Sequence, residues 1–148
     1  FTPGRIERPL ASGRIKAGVL ICFESIFGGL GRKWVESGAN LLVNVTNDAW
    51  YGRSSAPYQS WAMTVFRSVE TRRSLVRSAN TGISGMVDPL GRILRQSDLF
   101  VSWSVTAPLP LLEERSRFVR GGHLFAPLSG LAAVLILLLG VKRTQRSR

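Results

Sequence analysis

Residues 17–46, AGVLICFESIFGGLGRKWVESGANLLVNVT, hold two short apolar runs around a polar middle. The first run, AGVLIC over 17–22, suits a strand buried on both faces. The second, NLLVNVT over 40–46, suits another. Between them, residues 25–37 predict a weak helix with Trp34 and Val35 on its apolar side. Gly28, Gly29 and Gly31 weaken its first half, and Gly38 is a good stop. Two apolar strands joined by a helix predict a parallel βαβ crossover, hence an α/β fold.

C-terminal to this unit comes a turn-rich loop, NDAWYGRSSAP, and then the clearest helix of the chain, over 55–73. Tyr58, Trp61, Ala62, Val65, Phe66 and Val69 fall at i, i+3, i+4, i+7, i+8 and i+11, one apolar stripe expected to pack on the sheet. Ser54 or Ser55 can cap this helix, and Pro57 suits its first turn. Short strands are expected at 75–79, 83–87, 92–96 and 100–106, with Asp88-Pro89-Leu90-Gly91 a strong turn between two of them. No repeat or low-complexity tract is present.

The chain has 148 residues and 45% hydrophobic content, enough for one modest domain. Its formal charge is +11, from 20 basic and 9 acidic residues. Such a balance suits nucleic acid, anionic lipid or acidic substrates. The arginines are scattered, and no basic helix interleaved with aromatics appears, so no nucleic-acid partner is expected. One cysteine, Cys22, cannot form an internal disulfide, and His123 has no ligand partner, so neither a metal nor another cofactor is expected. The opening Phe1-Thr2-Pro3-Gly4 carries neither Met nor a signal peptide. It reads as the C-terminal portion of something longer.

The tail has a different character. LFAPLSGLAAVLILLLGV, Leu124 to Val141, would rise about 27 Å as a helix, close to the hydrocarbon thickness of a bilayer. KRTQRSR, residues 142–148, follows it. The expected organisation is a portion of an α/β domain over 1–115, a linker over 116–121, a transmembrane helix over 122–141 and a basic cytoplasmic tail over 142–148. The domain would then lie on the outer face.

Cys22 ends the first strand. Reactive groups in open parallel sheets sit at carboxyl strand ends. Thr46-Asn47-Asp48 end the second strand, and Ser78, Asn80 and Thr81 follow the third. These ends would frame one crevice. A thiol at a strand–helix junction gains thiolate character from the helix N-terminus. Free cysteines are also commonly buried and inert, so position alone leaves both readings open.

GVLICFES (18–25), NLLVNVTNDAWYG (40–52), RSLVRSANTGISGMVDPLGRIL (73–94) and the basic-capped apolar tail appear in an order and spacing that resembles the C-terminal half of the apolipoprotein N-acyltransferases. These form a branch of the nitrilase, or carbon–nitrogen hydrolase, superfamily. The resemblance covers residues 16 to 148 and implies an α-β-β-α sandwich fold. It also implies that Cys22 is the nucleophile, acylated as a thioester, and that Glu24 supports the site. Phe23 stands where many members have Tyr. Asn47, Asp48 and Trp50 match the loop flanking the nucleophile, and Trp50 and Tyr51 would touch lipid chains. Asn80 matches a turn residue with a backbone role, with Ala79 replacing the commoner Thr.

The family triad is Glu as base, Lys as oxyanion partner and Cys as nucleophile. Only Glu7 and Lys16 precede Cys22, neither in a matching context. The base and the cation are therefore expected upstream, and the chain alone is expected to be inactive and incompletely folded. The implied reaction is transfer of an acyl chain from a membrane phospholipid to the amine of a lipid-modified lipoprotein cysteine, by a monomer on the outer side of the bacterial inner membrane. The alternatives are an amidase using the same cysteine on small amides, or a non-catalytic membrane-anchored remnant.

Overall fold

The computed structural model describes residues 8–146, with side chains to residue 139. A six-stranded sheet runs in chain order β1 (Leu10–Ser12), β2 (Ile15–Ile21), β3 (Leu41–Asn47), β4 (Ser74–Asn80), β5 (Gly85–Val87), β6 (Ile93–Gln96). β2, β3 and β4 are parallel, and the outer pairs are antiparallel. Helix α1 (Gly28–Glu36) joins β2 to β3, and α2 (Ala56–Thr71) joins β3 to β4. The expected βαβ crossover is present, and each of its strands lies within two residues of its predicted bounds. β1 went unpredicted. It pairs with β2 through a two-residue loop whose Gly13, at φ +55°, takes the left-handed backbone such a loop needs.

One face of the sheet carries the core. Leu42 and Leu75 lie side by side in register, with Val87 beyond them, under Val35 of α1 and Trp61 of α2. Gly18 lets α1 lie close to β2, since a Cβ there would meet Trp34 at 2.7 Å. Both crossover helices sit on this face. On the opposite face, Ile21 and Val45 are exposed, so the structure holds one α/β layer of the expected sandwich.

Helix α2 is rotated from the predicted orientation. Trp61 is buried, but Tyr58, Phe66 and Val69 face outward, and Thr64, Ser68 and Thr71 face the sheet. The reason lies beneath them: Arg77 occupies an inward position on β4, and its guanidinium requires oxygen acceptors that an apolar stripe lacks. Residues 100–106 form no strand, and Phe100 instead closes a turn on Thr81 through a 2.9 Å backbone bond. The weak helix at 25–37 splits into a 3-10 turn, Cys22–Ile26, and α1.

The residues read as a linker are docked. α3 (Arg117–Gly121) begins on a Ser116 cap, 3.1 Å from the Val119 amide, and buries Val119. α4 (Phe125–Arg146) follows a left-handed Gly122. Among the described residues no helix is long and apolar enough to cross a membrane. The helix begins at Phe125, after Gly122 and His123, and the side chains of the expected 122–141 crossing beyond Leu139, with the basic tail, lie outside the described residues.

The Asp88-Pro89-Leu90-Gly91 turn joins β5 to β6 as expected. Asp88 accepts from the Leu90 and Arg92 amides at 2.9 Å each and from Arg92 Nε at 2.7 Å. Burial pushes its carboxyl upward, but the Arg92 and Leu90 bonds outweigh this and hold its pKa below the usual range. A depressed carboxylate stabilises the fold above its unfolded pKa and loses that contribution as pH falls through the folded one. Asp88→Asn is expected to flatten the acid limb of the stability–pH curve below about pH 4, read by urea unfolding across pH.

Candidate active site

Parallel pairing brings the ends of β2, β3 and β4 to one edge, with Ile21 opposite Val45 and Asn47 opposite Asn80. Cys22 follows β2 directly. It is partly buried, with a free thiol, and its backbone sits at φ +52°. That region is uncommon for a residue with a Cβ and is characteristic of functional strand-to-helix turns. The conformation is held from several directions. Glu24 Oε2 accepts the Ile21 amide at 2.7 Å, closing the 3-10 turn around Cys22. The Cys22 carbonyl accepts from Asn44 Nδ2 at 3.3 Å and from Ser25 Oγ at 3.2 Å. Glu24 thus bonds the backbone beside the thiol.

Beneath the turn lies a buried polar chain that sequence reading missed. Ser25 Oγ is 2.9 Å from Thr64 Oγ1, which accepts from Arg77 Nη1 at 2.6 Å. Arg77 Nη2 donates to Asp48 Oδ2 at 2.7 Å and to Ser60 Oγ at 3.0 Å. Asp48 also accepts from Thr46 Oγ1 at 2.9 Å. The Arg77 side chain is 0% exposed and that of Asp48 2%. Asp48, expected in the loop beside substrate, is instead turned inward, because Arg77 has no other carboxylate partner among the described residues. A signal was available: Asn44, Thr46 and Arg77 fall on the same strand face as Leu42 and Leu75.

The other candidates surround this edge. Asn47 Oδ1 accepts from the Ala49 amide at 3.1 Å and from Asn80 Nδ2 at 3.3 Å, so both asparagines shape the loop. Trp50 is 81% exposed, Phe23 is 55% exposed, and Phe23 meets Phe27 edge-on at 5.9 Å. Tyr51 is half-buried in the 3-10 turn Ala49–Tyr51. The thiol therefore sits on an open edge with exposed aromatic residues on the elements beside it. Lys16 lies near the start of β2, at the opposite edge from Cys22, and pairs with Glu113 at 3.3 Å. Glu7 lies outside the described residues.

Gly82 packs against this network. A Cβ there would lie 2.3 Å from Asp48 Oδ2, and Arg77 leaves that carboxylate no room to retreat. Gly82→Ala is expected to cost about 1–3 kcal/mol, measured by urea unfolding.

Residues 1–113 match the Carbon-nitrogen hydrolase family. The chain belongs to this family. Its curated relatives include the apolipoprotein N-acyltransferase of Geobacter metallireducens, 45% identical over 97% of the chain and 27% of that protein. Another is the apolipoprotein N-acyltransferase of Gloeobacter violaceus, 44% identical over 92% of the chain and 25% of that protein. The chain spans about a quarter of the length of these relatives. Among solved structures, the carbon-nitrogen hydrolase from Helicobacter pylori G27 superposes with a TM-score of 0.57 at 16% identity, over 66% of this chain and 42% of that one. An amidase from Nesterenkonia sp. gives 0.53 at 24% identity, over 67% and 40%. These likenesses establish the carbon-nitrogen hydrolase α/β fold for the layer described above.

Proposed function

We propose that this chain is the C-terminal part of an N-acyltransferase that moves an acyl chain from a phospholipid to the N-terminal amine of a lipid-modified lipoprotein cysteine. The observation that carries this reading is the 45% identity to an apolipoprotein N-acyltransferase along nearly the whole chain. The strained Cys22 at the strand edge supplies a chemically suitable nucleophile.

The reaction runs in two steps. The Cys22 thiol gives up its proton to a base, and Sγ attacks the ester carbonyl of the phospholipid. The S–C bond forms, the C–O bond breaks, and the lysophospholipid oxygen takes a proton. The lipoprotein amine then attacks the thioester. The N–C bond forms, the S–C bond breaks, and the amine's proton returns to sulfur. Glu24 is a positioning residue, fixing the Ile21–Cys22 backbone. Asn47, Asn80 and Asp48 hold the neighbouring loop, and Phe23, Trp50 and Tyr51 offer apolar contact to the acyl chain. We place the base and the oxyanion cation in the part of the protein that the relatives possess beyond this quarter.

The described part of α4 exposes Phe125, Leu128, Leu131 and Val134–Leu139 without protein packing. Such a surface is stable against lipid rather than water. We place it in the bacterial inner membrane, with residues 1–115 as catalytic-domain portion at the outer face and 116–121 as the connection.

The test uses the longer protein containing this chain, given phospholipid without amine acceptor. Mass spectrometry is expected to find one acyl group on Cys22, discharged by a lipopeptide amine and not by water. Rapid discharge to water would favour the amidase chemistry instead.

A further inference from the structure

A second site lies at the far edge of the sheet. β2, β3 and β4 are parallel, so the N-terminal end of β4 is one strand length, about 20 Å, from the Cys22 edge. Here a cavity of about 570 Å³ opens between the end of α2 and the segment leading to α4. Arg72, Arg115 and Arg117 line it, with Val69, Leu112 and Phe118 as apolar wall.

The walls are fixed by bonds outside the cavity. The buried Arg73 guanidinium donates to the Glu113 and Glu114 carbonyls at 3.0 and 2.8 Å, and to Ala39 O at 2.8 Å. Ser116 Oγ donates to the Glu70 carbonyl, and Arg32 Nε donates to Val119 O at 3.0 Å. These contacts place the backbone that carries Arg115 and Arg117 beside Arg72. Arg72 itself sits at φ +55° as the left-handed cap of α2.

Glu70 and Glu114 also border the cavity. Glu70 is paired with Arg67 at 3.0 Å, and burial raises its carboxyl above the usual range while Arg67 and His123 pull the other way. Among the described residues, three guanidinium groups therefore border the cavity against one carboxylate without an ion pair, that of Glu114. Arg115 gives one bond to Glu36 O at 3.2 Å; Arg72 and Arg117 side chains make none among the described residues. Phe118 meets His123 edge-on at 5.0 Å, joining the cavity wall to the start of the apolar α4.

We propose that this pocket binds the phosphate of an anionic phospholipid headgroup, as a non-reacting anchor point separate from the Cys22 edge. Guanidinium groups match phosphate oxygens in pairs, and the apolar wall matches the adjoining glycerol and acyl carbons. The proposal rests on the reading that α4 lies in lipid.

The test is vesicle binding by the longer protein containing this chain, held in neutral detergent micelles, comparing phosphatidylglycerol with phosphatidylcholine. Binding to neutral vesicles reports the apolar surfaces, α4 among them; the anionic excess reports the pocket. Arg72→Gln, Arg115→Gln and Arg117→Gln combined are expected to reduce that excess by roughly 100-fold, about fivefold per arginine. The charge-matched set Arg14→Gln, Arg53→Gln and Arg95→Gln is expected to leave it within about twofold. All variants must keep the wild-type circular dichroism spectrum.

An equal loss in both sets would mean diffuse attraction and would overturn the site, as would no loss in the first. Saturable binding of inorganic phosphate in neutral micelles, without any vesicle preference, would overturn the lipid assignment. Failure to bind any vesicle would instead reject the lipid reading of α4.

Discussion

Arg77→Met is expected to destabilise the chain by about 3–5 kcal/mol, the cost of leaving one buried charge without its partner. Met matches the length of the arginine stem, so little cavity forms. The loss comes from Asp48, which keeps only Thr46 as a side-chain donor while remaining almost fully buried. Thr64 and Ser60 lose their guanidinium donor at the same time. Adding Asp48→Leu to Arg77→Met is expected to recover part of the stability, because a matched apolar pair carries no stranded charge. Urea unfolding of both single variants and the double variant closes the cycle. A cost below about 1 kcal/mol for Arg77→Met would show that water reaches Asp48 and that the pair is not a buried one.

The other large effect is chemical. Cys22→Ala in the longer protein is expected to abolish the thioester and to lower acyl transfer by roughly 10⁴- to 10⁶-fold, the scale seen when a covalent nucleophile is removed. Its stability should change little or rise slightly, since the thiol makes no hydrogen bond in the network and only its backbone carbonyl is used. The loss of transfer would then belong to the sulfur rather than to the fold. Cys22→Ser keeps the size and the turn and is expected to accumulate no thioester either. Acyl transfer surviving in Cys22→Ala at the parent rate would place the nucleophile elsewhere.

The sheet was legible because β2 and β3 are short apolar runs of the right length, and because Ser37-Gly38 stops the helix between them. That reading put Cys22, Asn47 and Asn80 at carboxyl strand ends, and pairing then placed these ends at one edge. The orientation of α2 was not legible from hydrophobicity. Its apolar stripe is real, but an arginine from a strand beneath it selects the polar side, and the cue is the alternation that puts Arg77 on the face of Leu75, not any pattern within α2. The inward turn of Asp48 was hidden for the same reason: its partner, Arg77, stands far along the chain on another strand. The docking of 116–121 rests on Ser116 Oγ donating to the Glu70 carbonyl and Arg32 Nε donating to the Val119 carbonyl, and backbone acceptors leave no mark in a sequence.

The Arg73 clasp also defines where mechanical load enters the domain. A sideways pull on α4 passes through α3 and Ser116 into the end of α2, and through Glu113 and Glu114 into Arg73 and the first residue of β4. Several hydrogen bonds share that force in parallel. None of them belongs to the turn that holds Cys22. Movement of α4 is thereby absorbed at one edge of the sheet, and the thiol at the other keeps its aim.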